Sequence, residues 1–267
     1  MASQESTSTP SEEEKYAKAS TLFAKISTHF PSKTLGEERW YLPTLAALSY
    51  VEPEHATYLY NPPRAGEETS RGLTRDDISD RCGEDAGVSL LHRSSGEGGG
   101  SGLFVLAVSV ATIPAPSPRR VVQAASQKAT KLNTSPVFCR ENWTNDVANR
   151  ARGETWLKTI YKHNLGTSIG PLAAHRDFDK ISREITYGLY LSDMSILNEI
   201  ETELVVLSGI LIQNLPREST WHLRGLRRVG ASMEDVEIVQ QCVEMVAEYA
   251  GVKLDRLPRV QDIEHEV

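Results

Sequence analysis

Apolar residues return at steps of three and four along most of this chain, and that rhythm predicts helices. After Ser11, the residues Tyr16, Ala19, Phe23, Ile26 and Phe30 fall on one face, and Ser11 with Glu14 makes a capping box at its start. "TLGEERWYLPTLAALSYV" is a second apolar segment, with Pro43 in its first turn or at a break, and Pro53 opens a third, short one. Further on, Trp156 and Ile160 stand four apart, and Phe178, Ile181, Ile185 and Leu189 share a stripe. Leu204 to Ile212 is nearly continuous apolar sequence, as expected of a helix buried on most sides. Pro216 suits a first helical position and Gly230 the position just past a helix end. Ser232 caps the next helix, with Asp235 three residues on. Its core stripe is Val236, Val239, Val243, Val246 and Ala250, and Gly251 ends it. No run alternates like a β-ribbon, so the expected class is all-α.

Between these patterns the chain changes character. Residues 1–10 are small and polar and read as a disordered lead. Residues 61–102 include "SSGEGGGSG", too rich in glycine and serine to bury a core, and read as a flexible insertion. A helix is expected at "RRVVQAASQKATKL". The expected organisation is an N-terminal helical half over 11–132 carrying that insertion, and a second helical half over 133–260. The run "LFVLAVSVATI" is too short to span a bilayer.

Composition narrows the function classes. A formal net charge of -7 argues against nucleic acid as a partner. Cys82, Cys139 and Cys242 are odd in number, far apart and never in a C-x-x-C, which argues against a disulfide scaffold and a thiolate zinc site. The opening residues are acidic and hold no apolar signal region, so the expectation is a soluble, intracellular protein, cytoplasmic by default.

Residues 197–252 carry a resemblance. A buried helix opened by "TELV", then "HLRGLRRVGAS", then "MEDVEIVQQCVEMVAEYAG" is similar in order and spacing to the carboxymuconolactone decarboxylase-like domain. The decarboxylase branch typically reads close to "HLRGALNNGAT" at the middle segment. His222, Leu223, Arg224, Gly225 and Gly230 stand at matching places, while two arginines replace small polar residues. "FPSKTLGEERWYLPTLAALSYVEPEHATYLY" and "WLKTIYKHN" resemble the long, two-part fungal members of the superfamily. The resemblance implies an alkyl hydroperoxidase D-like helical fold of two related halves, often assembled as a homo-oligomer. The redox branch of that superfamily reads E-x11-C-x2-C-x3-H. Laid on this chain without a gap, the acid falls on Glu203 and the histidine on His222, but the cysteine positions fall on Leu215 and Glu218. Neither residue supplies a thiolate, so dithiol peroxidase chemistry ranks last.

His222 is therefore the candidate proton-transfer residue, with Glu203 and Glu218 as its supports. A histidine near neutral pH both takes and gives a proton, and a carboxylate beside it fixes its tautomer. The implied activity is decarboxylase- or lyase-like acid/base chemistry on a small carboxylic or lactone substrate, with no cofactor and no metal. The alternative is a non-catalytic helical scaffold or oligomerisation module in which His222 is a satisfied core group. At about 100° per residue, Gly225, Leu226 and Val229 share the His222 face, and Arg224, Arg227 and Arg228 point away from it, towards solvent. Gly225 leaves room either for a ligand or for a closely packed helix. Trp143, Trp156 and Trp221 read as core or interface anchors. His163 and His175 have no metal-ligand spacing.

Overall fold

Four helix starts are fixed by a side chain that accepts the amide proton three residues on. Ser11 accepts from Glu14 and opens α1 (Glu12–His29). Asp146 accepts from Asn149 and opens α5 (Val147–Tyr161). Asn198 accepts from Glu201 and opens α8 (Glu199–Leu211). Ser232 accepts from Asp235 and opens α10 (Met233–Ala250). Each such cap is worth about 1 kcal/mol. The computed structural model describes residues 11–59, 143–170, 174–194 and 197–267. The expected lead at 1–10, insertion at 61–102, helix at 119–132 and boundary at 132/133 lie outside the described residues, as do Cys82 and Cys139.

Between the capped helices lie shorter ones: α2 (Ser32–Leu35), α3 (Tyr41–Val51), α4 (Pro53–Ala56) and α6 (Leu165–Ile169). A one-turn α7 (Arg176–Lys180) runs directly into a π-helix, Ile181–Leu191. Then come α9 (Pro216–Arg228) and α11 (Val260–Ile263), the latter followed by a 3₁₀ turn, Glu264–Glu266. No strand occurs among the described residues. Pro216 is at the start of α9, where its missing N–H costs nothing. Gly230 (φ 113°) and Gly251 (φ 69°) take the left-handed backbone that lets the chain leave α9 and α10.

The main core is shared by elements far apart in sequence. α3 and α8 lie against each other and α10 packs on both, so every residue from Tyr41 to Ser49 and from Glu201 to Leu211 is buried. α1 closes this core with Leu22 and Ile26, and α11 adds Val260 and Ile263. A second, smaller cluster holds Trp156, Leu157, Ile160, Tyr161 and Tyr187, between α5 and the π-helix. α9 forms the seam. Leu223 and Leu226 face the main core, while Trp221 packs on the second cluster.

The π-helix overturns one expected stripe. Phe178 is 46% exposed, Ile181, Ile185 and Leu189 are half-buried, and the buried positions are Ser182, Thr186, Tyr187 and Gly188. Bonds from residue i to i+5 change the angle per residue, so a face computed at the α-helical angle is not the face that packs. The buried face instead presents Gly188 to Gly153 of α5. A Cβ on Gly153 would lie 2.4 Å from the Arg183 carbonyl oxygen and 3.0 Å from the Gly188 Cα. Asn149 locks the contact, donating from Nδ2 to the Glu184 carbonyl at 2.8 Å.

Candidate active site at the seam of two cores

His222 lies midway along α9, 2% exposed. The ring turns Nδ1 towards α8, where Glu203 is fully buried, and the Glu203 Oε2 to Nδ1 distance is 2.9 Å. The carboxylate approaches this closely because residue 225, one turn on, is glycine. A Cβ there would sit 2.7 Å from Glu203 Oε2 and 2.9 Å from Ile160 Cγ2. Close helix packing is thus the role of Gly225.

On its other side, the ring meets the second cluster. His222 Nε2 is 3.3 Å from the Tyr161 hydroxyl, which is 2.7 Å from the Tyr187 hydroxyl. Both phenols are buried, and desolvation raises them well above the ordinary tyrosine value, so both stay protonated. With the Nδ1 proton on the side of Glu203, the hydrogen bonds run in one direction along the line. Tyr187 donates to Tyr161, Tyr161 donates to Nε2, and Nδ1–H donates to Glu203. Four groups from α5, the π-helix, α8 and α9 thus form one hydrogen-bonded line. Glu203 also raises both phenols through its charge. Among the described residues Glu203 Oε1, which is buried, has no hydrogen-bond partner, and neither has the buried Ser219 Oγ, one turn before His222.

The other support expected for His222 is elsewhere. Glu218 accepts from Arg217 Nη2 at 3.0 Å, and no hydrogen bond joins it to His222. Arg217 in turn lies over the Trp221 ring, 5.1 Å from its centroid. Glu218 reaches the line only as charge, as one of the influences that raise Tyr161.

The three arginines do lie opposite His222, but not in solvent. Arg224 is buried and pairs with Glu266, and Arg227 pairs with Glu264. Arg228 donates to the Ile160 carbonyl at 2.7 Å and to Asn164 Oδ1 at 2.7 Å. The 3₁₀ turn covers this face, which periodicity along α9 alone cannot reveal.

Trp156 is buried, and Trp143 lies under the Arg152 guanidinium at 4.4 Å. Cys242 is buried in the main core, and burial pushes its thiol up to about 12. His163 and His175 are exposed. Among the described residues no group of three or more His, Cys, Asp or Glu side chains could hold a metal ion. No described helix is long and apolar enough to cross a membrane. Tyr161 and Tyr187 were not singled out by the sequence. Each is an aromatic beside other apolar residues, and nothing local marks its hydroxyl. Comparison with family models, curated proteins and solved structures finds no match to this chain.

Proposed function

We propose that this chain is a carboxymuconolactone decarboxylase-like enzyme that performs cofactor-free acid/base chemistry on a small carboxylic or lactone substrate. His222 is the proton-transfer group. Glu203 fixes its tautomer and stabilises its charged form. The observation that carries this reading is the buried Glu203 carboxylate. It is fully buried, and among the described residues its only hydrogen-bond partner is His222 and one of its oxygens has none. A buried, half-satisfied carboxylate costs stability, and a packing role for His222 does not require one. An unsatisfied buried polar group of this kind calls for a role other than packing.

In this reading Nε2 is the working atom, because Nδ1–H is committed to Glu203. Tyr161 stands directly on Nε2, so a proton passes between His222 and substrate through the Tyr161 hydroxyl or once that ring turns aside. Tyr187 holds Tyr161 in line. Loss of carbon dioxide from a lactone carboxylate leaves a carbanion that needs a proton. Nε2 first takes one up from solvent, giving the imidazolium that Glu203 stabilises, then gives it to that carbon and returns to the neutral ring. Glu218 acts only through its charge.

The second reading is a non-catalytic helical scaffold or oligomerisation module. It is favoured by the 2% exposure of His222 and by the engagement of both ring nitrogens. A dithiol peroxidase is not proposed, since no two cysteines stand in a C-x-x-C and Cys242 is buried with a thiol pushed up to about 12.

The test is the ring ¹H–¹⁵N signals of His222, recorded with and without a panel of small carboxylic and lactone compounds. The enzyme reading expects a subset of the panel to shift the Nε2 signal, and expects His222→Gln to abolish turnover of those compounds. A ring that no compound perturbs belongs to a scaffold.

A further inference from the structure

The back of α9 carries a second polar arrangement, built differently from the His222 face. Arg227 meets Glu264 as a fork: Nε donates to one carboxylate oxygen at 2.8 Å and Nη2 to the other. One turn away, Glu266 Oε2 accepts from Arg224 Nη1 and, at 3.1 Å, from Asn164 Nδ2. Arg228 donates to the Glu266 carbonyl and to Asn164 Oδ1, which holds the asparagine in place.

The two sides of this contact are unequal. The cations belong to the body of the fold, where the Arg224 side chain is only 6% exposed. The acids stand at the margin, with side chains 33% and 36% exposed, on a turn that follows the buried Val260 and Ile263 and the Arg259 pairs with Glu237 and Glu244. Among the described residues the donors also exceed the acceptors, since Arg224 Nε and Arg228 Nε are buried with no partner there. A desolvated guanidinium left without an anion is costly, so the body requires carboxylate oxygen here whatever its source.

We propose that this surface is a binding site for a small dicarboxylate, and that Glu264 and Glu266 occupy it until the ligand displaces them. Two carboxylates on one short carbon chain replace both glutamate side chains, whereas a single carboxylate replaces one. Arg228, on losing the Glu266 carbonyl, keeps the Ile160 carbonyl and Asn164 Oδ1 as acceptors. The site lies opposite His222 on α9 and does not depend on the acid/base reading.

Amide hydrogen exchange across 259–267, with and without glutarate and succinate at constant ionic strength, tests this on the intact chain. The expected result is faster exchange through that segment when a dicarboxylate is added, with acetate at equal ionic strength giving none. A second arm measures glutarate binding by calorimetry. Removing the internal competitor with Glu264→Gln and Glu266→Gln together should tighten binding about tenfold, because the competent state is no longer a minority. Adding Arg224→Gln should abolish that gain. Exchange that glutarate leaves unchanged overturns the proposal, as does an equal response to acetate. Should the paired variant not fold, the exchange result on the intact chain decides alone.

Discussion

Gly225 and Glu203 are packed so closely that no side chain fits between their helices. The space a Cβ would need at Gly225 is taken by Glu203 Oε2, 2.7 Å away, and Ile160 Cγ2, 2.9 Å away. The carboxylate cannot swing aside without leaving His222. Gly225→Ala should therefore destabilise the protein by about 1–3 kcal/mol, even though alanine in a helix interior gains up to about 1 kcal/mol over glycine. Urea unfolding checks the sign. A more stable alanine variant would show that Glu203 is free to move.

Gly153 presents the stricter case. Its neighbours at 2.4–3.0 Å are backbone atoms of the π-helix, which no rotamer change can relieve. Gly153→Ala should cost more than Gly225→Ala and should separate α5 from the π-helix. Tyr187 would then lose Tyr161, which is visible as a change in tyrosine fluorescence or in the aromatic NMR signals.

Removing one member of the buried pair should cost more than removing an ordinary core side chain. His222→Ala strands the Glu203 carboxylate with no partner in a dry site, and about 3–5 kcal/mol is expected. Glu203→Gln keeps the shape and an acceptor for Nδ1–H, so its effect on stability should be smaller. Chemical denaturation of the two variants side by side gives the order.

Helix ends were legible in the sequence because the groups that set them act within one turn. Ser11 with Glu14, Pro216, Gly230, Ser232 with Asp235, and Gly251 are all in the expected roles. The closeness of His222 to Glu203 was legible as a spacing carried by a resemblance. Tyr161 and Tyr187 were not, since Tyr161 lies 61 residues before His222 and only tertiary packing brings the rings together. The arginines show the same limit. Arithmetic along α9 gives their direction correctly, but the glutamates that cover them come from 37 and 42 residues further on. The π-helix is not legible for a different reason, because its winding departs from the α-helical period.

Stability should fall on the alkaline side. Cys242, Tyr161 and Tyr187 are neutral when protonated, and burial raises all three in the folded protein. Folding therefore favours their protonated forms. That contribution is fully present below the ordinary values of 9.0 and 10.0, and it is lost as pH rises through the folded ones. For Cys242 the window runs from 9.0 to about 12, at about 1.4 kcal/mol per pH unit at most. Thermal melts between pH 8 and 11 should show the decline, and the Cys242 thiol should resist alkylation until the protein unfolds.

The proposed function implies that the Glu203–His222 pair is kept for chemistry and not for stability. The most direct measurement is the unfolding free energy of the paired variant Glu203→Met with His222→Leu, set against the native chain. It needs no substrate. If the pair serves chemistry, apolar groups of similar volume should be tolerated without loss, or should stabilise the fold by about 1–4 kcal/mol. A paired variant destabilised as much as His222→Ala would contradict the account and make the pair a structural element of the seam.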